Sequence, residues 1–356
     1  MQIAGKRIEI TVEHIESDAF DIVLEEFQES IENIKTKKKF KQTNTPKIQI
    51  DDSEEDEENN DTGDEDSDSE NESESISLQN APLTKYLKDK ILSKTLTNFW
   101  HELSEAMVSC NSLYSNTFVS FRQWLIAFNK SKISIIRHSS SFCAFSLFNT
   151  LSSALNRSKN ELSRLTKLSD GNPNSMLIRS RQLYEQDVKF YTSLSLFFLQ
   201  NFIYPRINDI DDNIRMMAVQ SLTDAAIDCP SEFADHQKLK SFEKILNDRS
   251  SRNRRDVLRC LQRILNECGQ SCLDKMKPLS EKFVPIILNL FNDRDNSVVS
   301  SAIECLFSFV ESNLLDQNQQ IEELCINAAS SLLSDESQTI RASAAKFISK
   351  LHFSKY

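Results

Sequence analysis

Apolar residues recur at three- and four-residue steps along most of the chain. TLTNFWHELSEAMVSC, FVSFRQWLIAFN, IIRHSSSFCAFSLFNTLSSALN, KFYTSLSLFFLQNFIY, FVPIILNLFN and SAIECLFSFVESN each keep one apolar face at the helical period. None of them fits the alternation of a strand. Short polar joints such as SDGNPNS and NDRDNS separate these segments. A longer polar stretch at 155–190, broken near Gly171 and Pro173, predicts a helical hairpin projecting from the main body. Near the start, Phe20, Val23, Leu24, Phe27, Ile31 and Ile34 fall at helical steps, so 1–34 is expected to be a helical segment. Residues 35–81, a basic run followed by an acidic one, are expected to be a disordered linker. They hold too few apolar groups to offset the entropy of an ordered backbone.

One frame returns four times: NDIDDNIRMMAVQSL at 208, NDRSSRNRRDVLRCL at 247, NDRDNSVVSSAIECL at 292 and SDESQTIRASAAKFI at 334. An Asp stands second in each (Asp209, Asp248, Asp293, Asp335), and six residues on stand Arg215, Arg254, Val299 and Arg341. The spacings of 39, 45 and 42 residues match HEAT-type repeats, pairs of antiparallel helices with a short turn between them. In such a turn the Asp is expected to cap the second helix. The Arg is expected to reach a neighbouring turn's Asp, so that a ladder of pairs holds the repeats in register. An upstream copy, SKISIIRHSSSFCAF, has Ile136 and Arg137, with Ser131 in the Asp place. The fold expected is all-α: a HEAT-repeat α-solenoid with a projecting hairpin and a disordered acidic segment. The order expected is 1–34, 35–81, a helical region with the hairpin at 82–200, and repeats at 201–356. Because stacked repeats bury their cores only against neighbours, and an ordinary repeat helix, AAKFISKLHF, runs to the end, a piece of a longer solenoid is expected.

Composition narrows the class. Four Gly and seven Pro in 356 residues disfavour barrels, hairpin-rich sandwiches and Gly-loop nucleotide folds. Residues 51–75 hold 15 Asp or Glu and no Lys or Arg. The chain's net charge is −11, so the remainder carries +4, and overall acidity is no argument against nucleic acid. Eight Cys lie mostly on apolar helical faces and read as small buried hydrophobes of a reducing, intracellular compartment. No run reaches the length of a membrane span and the start lacks a signal-peptide core. The five His are scattered, and Cys268 and Cys272 lack the spacing and the second pair of a zinc site. With no P-loop, GxGxxG or GxSxG, no enzyme, cofactor or small-molecule substrate is expected.

Three stretches together resemble the stromal-antigen (STAG) family, the HEAT-repeat subunit of the cohesin complex. FNKSKISIIRHSSSFCAFSLFNTLSSAL is similar to the family's Arg-His-Thr/Ser helix opening, carried here by Arg137, His138 and Ser139. IYPRINDIDDNIRMMAVQSL places Arg206, Asp209, Ile214 and Arg215 in family positions. PSEFADHQKLKSFEKILNDRSSRNRRDVLRCL does the same for Phe233, Leu239, Leu246, Asp248, Arg254 and Leu258. The likeness covers roughly residues 82–352, with the motifs in the family's order. Ala225 stands where the family usually has Trp, and Glu243 and Lys244 where it has Gly-Trp. The resemblance implies a divergent member and an N-terminal portion. It implies a nuclear, chromosomal, non-catalytic protein that binds double-stranded DNA without sequence preference. Its implied partners are the kleisin subunit, the SMC ring, and the cohesin loader and regulators. Lys282 and Phe283 match the basic-Phe element of the family's peptide-docking surface.

Three basic groups are candidate DNA contacts. Lys35, Lys37, Lys38, Lys39 and Lys41 read equally as a nuclear-import signal, a phosphate-binding arm or solvated charge. Lys85, Lys88, Lys90 and Lys94 fall on a helix entering the solenoid, and Arg255, Arg259 and Arg263 form a four-residue stripe. A solvated face paired with nearby acids is the plain alternative for that stripe. The acidic tract admits a solubilising linker, a nucleic-acid mimic, or a substrate of acid-directed kinases at Ser53, Thr62, Ser67 and Ser69. A generic HEAT adaptor without DNA binding is the rival reading of the whole chain.

Overall fold

The computed structural model describes Gln2–Ile3, Lys6–Arg7 and residues 90–171, 175–314 and 319–353. Two compact units divide the chain: residues 1–93 with 131–135, and residues 94–130 with 136–356. In the first, β1 (Gln2–Ile3) pairs antiparallel with β2 (Lys6–Arg7), Gln2 opposite Arg7 and Ile3 opposite Lys6. This corrects the expectation of a helical 1–34 at its first residues. The helix expected over 13–34 and the disorder expected over 35–81 lie outside the described residues.

The rest of the described chain is built from helices. In chain order they are α1 (Lys90–Ser109), α2 (Asn116–Asn129), α3 (Ser134–Gly171), α4 (Ser175–Phe198), α5 (Tyr204–Ile207), α6 (Asp212–Asp228), α7 (Pro230–Phe233), α8 (His236–Leu239), α9 (Phe242–Leu246), α10 (Ser251–Glu267), α11 (Gln270–Asn289), α12 (Asn296–Glu311), α13 (Gln319–Ser331) and α14 (Gln338–Phe353). Helices α6, α10, α12 and α14 pack side by side in sequence order, each opened by one of the repeated frames. This is the expected α-solenoid. The first helix of a repeat is long in α11, but between 230 and 246 it breaks into α7, α8 and α9. Helix α8 is capped by Asp235, whose carboxylate accepts from Gln237 N.

The repeats share one core, continuous from Leu113 to Leu351. Phe148, Phe198, Phe202, Phe233, Phe242, Phe283, Phe309 and Phe347 are its largest fully buried side chains. Burying each contributes about 2–3 kcal/mol. No break in this core falls at the domain boundary expected between 200 and 201. There α4 runs through a π turn (Leu199–Ile203) into α5, and Leu199, Phe202 and Ile203 stay buried through it. Pro205, in the first turn of α5, has no N–H to give, so the widened turn and the proline fall together.

The projecting hairpin is present, with its arms separated at Gly171 and Ser175. Its first arm is not a new element starting near 155. It is the helix opened by the Arg137 frame, which continues unbroken for 38 residues. Lys159 ties the root of this arm to Glu232 of α7 at 3.1 Å, and Ser153 bonds Asp228 at the end of α6. Where α1 and α12 end, Asn111 and Asn313 take the left-handed conformation (φ 54° in both) that glycine takes in chains richer in it.

An arginine ladder and a candidate nucleic-acid interface

The frame arginines act on two repeats at once. Arg215, on α6, gives Nη1 to the carbonyls of Asp209 and Ile210, both at 2.9 Å, in the turn that opens its own helix. Its Nε and Nη2 clasp the Asp248 carboxylate of the next repeat at 2.6 and 2.8 Å. Arg254 repeats the arrangement. Nη1 goes to Asp248 O at 2.7 Å and Arg249 O at 3.2 Å, and Nε and Nη2 to Asp293 at 2.7 and 2.8 Å. Arg137 clasps Asp209 at 2.8 and 3.0 Å, and Arg206 donates to the same carboxylate. The fork geometry of guanidinium on carboxylate makes these strong, directional pairs.

The aspartate's part differs from the expectation. Asp209, Asp248, Asp293 and Asp335 each accept the backbone N–H two residues on: Asp211, Ser250, Asp295 and Ser337. They close the turn, and the helix is capped one step later. Asp211 caps α6 and Asp295 caps α12. The reason is geometric: a carboxylate facing the preceding repeat's guanidinium lies too far upstream to meet the second or third N–H of its own helix. Burial would raise the carboxyls of Asp209, Asp248 and Asp293. Hydrogen bonds and charge from their arginines, and from the turn N–H, outweigh it and hold all three below the usual carboxylate range.

The ladder is interrupted once. Val299 holds the Arg place and is buried, so Asp335 receives no frame arginine. Arg341 still donates to its own turn carbonyls, Asp335 O at 2.7 Å and Glu336 O at 2.8 Å. In the second frame the buried Asn253 replaces the core-facing apolar residue and donates to Asp212 O at 3.1 Å, linking one repeat to the one before.

The candidate DNA contacts separate. Lys35, Lys37, Lys38, Lys39, Lys41, Lys85 and Lys88, like Ser53, Thr62, Ser67 and Ser69, lie outside the described residues. Lys90 opens α1, and Lys94 is exposed on it. Arg255, Arg259 and Arg263 do share one face of α10, but acids attend them. Arg255 and Arg259 approach Asp256 at 3.1 and 3.9 Å, and Arg263 approaches Asp224 at 3.2 Å and Glu267 at 3.7 Å. A cavity of 290 Å³ opens there between α6 and α10, lined by Gln220, Asp224, Asp256, Arg259, Cys260 and Arg263. Burial lifts the Asp224 carboxyl above its usual range, although the charge and hydrogen bond of Arg263 oppose it. The face is a mixed-charge surface, not a basic one.

The docking pair also separates. Lys282 is exposed, but Phe283 is fully buried, stacked at four-residue steps with Leu279 and Ile287 on the core side of α11. Phe283 is therefore a packing residue and presents no ring to a partner. Ala225 is buried in α6, and Lys244 holds Asn208 at 2.9 Å. Sequence reading missed the second cation on Asp209, although the i, i+3 spacing of Arg206 and Asp209 was there to see. It also missed Arg122, which lies over Phe118 and Phe197 at 5.4 and 4.8 Å. Among the described residues no cluster of His, Cys, Asp and Glu forms a metal site, and no helix is long and apolar enough to cross a membrane.

A stack of helix pairs indexed by arginine–aspartate rungs, with a long helical hairpin rising from one pair, defines a solenoid scaffold. Two family descriptions match it in order: the STAG domain over residues 81–189 and the Stromalin conservative domain over 208–284. The chain is a divergent member of the STAG family. It is 24% identical over 271 residues to Sister-chromatid cohesion protein 3 of Arabidopsis thaliana, covering 73% of this chain and 24% of that protein. Its fold is similar to that of the cohesin subunit Scc3 from Z. rouxii, with TM-score 0.64 at 19% identity, over 74% of this chain and 31% of that one. The chain thus spans about a quarter to a third of the length of these relatives.

Proposed function

We propose that the protein is a non-catalytic cohesin subunit in the nucleus, acting on chromosomes in sister-chromatid cohesion. It binds double-stranded DNA through phosphate contacts, and it docks the kleisin subunit of the SMC ring and, through it, the loader and regulators. The observation that carries this reading is the ordered match of STAG and Stromalin conservative domains across the hairpin and the first rungs of the ladder. Generic helical arrays do not interrupt their period with such a hairpin.

The distribution of charge decides where DNA contact is to be sought. The α10 stripe with Arg252 sets four cations against Asp224, Asp256 and Glu267, a net charge of +1. Phosphates there would compete with ion pairs already made. The lysine group entering α1, with Lys94 exposed, carries four cations within ten residues against one acid, Asp89, a net charge of +3. DNA is therefore assigned first to Lys85, Lys88, Lys90 and Lys94, and the stripe is secondary. The Lys35–Lys41 group retains its three readings.

The test is fluorescence anisotropy with two unrelated duplexes over a series of salt concentrations. Near-equal affinities are expected, with a log–log salt slope of about −4 if the four lysines each neutralise a phosphate. Reversing the four lysines to Glu should abolish most of the slope, whereas Arg259→Glu/Arg263→Glu should change it little. Salt-independent binding or strong sequence preference would overturn the DNA assignment. Failure to co-purify with a kleisin segment, together with absent DNA binding, would favour the adaptor without DNA binding.

A further inference from the structure

Four of the large apolar side chains left exposed fall within 16 residues at the distal end of the hairpin: Leu168 (47%), Met176 (76%), Ile178 (40%) and Leu183 (55%). Exposed apolar groups scattered singly are ordinary, but a cluster on one projecting element is not. The helical period shows how they are arranged. On α3 the side facing the other arm is marked by buried Leu165 and Ser169, and on α4 by the half-buried Leu177, Ser180 and Tyr184. With successive residues about 100° apart around a helix axis, Leu168 lies about 80° to one side of the inward direction of α3. Met176 and Leu183, seven residues apart, lie about 75° and 95° to one side of the inward direction of α4. Because the arms run antiparallel, these two displacements point to the same side of the hairpin. Ile178 falls on the opposite side.

One broad face of the hairpin therefore carries Leu168, Met176 and Leu183 along its middle. The same wheels place Arg164 on the outer border of α3 beside Leu168, and Arg179 on the outer border of α4 between Met176 and Leu183. Residues 162–184 contain Arg164, Lys167, Arg179 and Arg181 against a single acid, Asp170. Glu161 and Glu185, which pair with Arg164 and Arg181, stand just outside this span, toward the root. Among the described residues Lys167 and Arg179 have no acid within ion-pair distance. The face thus has an apolar centre and cationic borders at the tip, the pattern that receives a third helix.

We propose that this face docks an acidic amphipathic helix of a partner protein. The partner's apolar residues, spaced three and four apart, seat on Leu168, Met176 and Leu183. Its flanking Asp and Glu meet Arg164 and Arg179. A nucleic-acid occupant fits less well, since a phosphate backbone leaves the three apolar groups unused and meets Glu161 and Asp187 toward the root. Charge on both borders orients the incoming helix and speeds its encounter, while the apolar seats hold it.

The test uses the full 356-residue chain and a fluorescein-labelled designed peptide of about 20 residues, helix-forming by composition. It carries Leu at i, i+3, i+4 and i+7 positions and Glu on both flanks. Two controls replace every Glu by Lys or every Leu by Ser. Saturable binding by the Glu/Leu peptide alone is expected. Leu183→Glu should weaken it by about tenfold or more, and so should Arg164→Glu/Arg179→Glu. These side chains are exposed, so the variants should keep the wild-type far-UV spectrum and unfolding midpoint. With methyl-labelled methionine, addition of peptide should shift the Met176 methyl signal and leave buried Met276 unmoved. Equal binding of the Lys-flanked peptide, binding unaffected by both variants, an unmoved Met176 signal, or no binding would each overturn the proposal. So would displacement of bound peptide by a DNA duplex in low salt to the same extent in wild type and in the lysine-reversal variant, which would make the face a nucleic-acid surface.

Discussion

Removing Arg215 tests the ladder most directly. Its side chain is 8% exposed and that of Asp248 5%, so solvent screens the pair little. Arg215→Met keeps the aliphatic stem and deletes the guanidinium. It leaves a buried carboxylate uncompensated and two carbonyls, Asp209 O and Ile210 O, without their donor. Breaking one side of such a pair costs about 3–5 kcal/mol, and Asp248→Leu, which strands the guanidinium instead, should cost about as much. In the double variant neither charge remains, and the residual loss should be about 1–2 kcal/mol, chiefly from the two carbonyls. The assay is urea unfolding at neutral pH, followed by far-UV circular dichroism for all four proteins of the cycle. Amide hydrogen exchange in α6 and α10 shows whether the loss is local, because stacked repeats need not unfold in one step. Losses that add in the double variant, or single variants within about 1 kcal/mol of wild type, would show that the rung carries no coupling between repeats.

Three further expectations concern the same framework. Since the carboxyls of Asp209, Asp248 and Asp293 are held below their ordinary range, their contribution is complete above the unfolded-state value near 4 and is lost as pH falls through the lower folded values. The urea midpoint should therefore drop steeply below about pH 4, and the Arg215→Met/Asp248→Leu protein should lose less over that interval. Val299→Arg restores the frame residue opposite Asp335, and exchange protection in α14 should rise. Lower protection would mean that the buried valine packs a joint that cannot admit a guanidinium. Asn253→Leu should remove the link to Asp212 O and fill an apolar place, with a net change of about 1 kcal/mol or less in urea unfolding. A loss of several kcal/mol would show that the link matters more than the geometry suggests.

The ladder was legible because it is written locally. Asp and Arg six residues apart recur at nearly constant spacing, and only the partner of each arginine lies in the next repeat. The role of the aspartate was not legible, since capping and turn closure use the same residue types within two positions. The continuity of α3 was masked by its change from an apolar to a polar face near Leu155. The sequence pattern marks burial, not helix ends, so a hairpin arm looked like a separate element. The mixed charge of the α10 face depends on Asp224, 39 residues from Arg263, and no local pattern shows that neighbour. Phe283 was readable: Met276, Leu279, Phe283 and Ile287 keep the period of a buried stripe, and that period outweighs the motif match that placed it on a surface.

The single rod that begins beside Arg137 and ends at the hairpin tip has a mechanical consequence. Thirty-eight residues make a helix about 57 Å long. Only its first half is clamped by the core, so the free half is a cantilever. A side load on its end is converted at the root into torque, which Lys159, Ser153 and, further back, the Arg137 clasp must resist. Tilting the free half, about 25 Å long, by a few degrees would move its end by an ångström or two. Tension applied to whatever the tip holds is thereby delivered to the first rung of the stack.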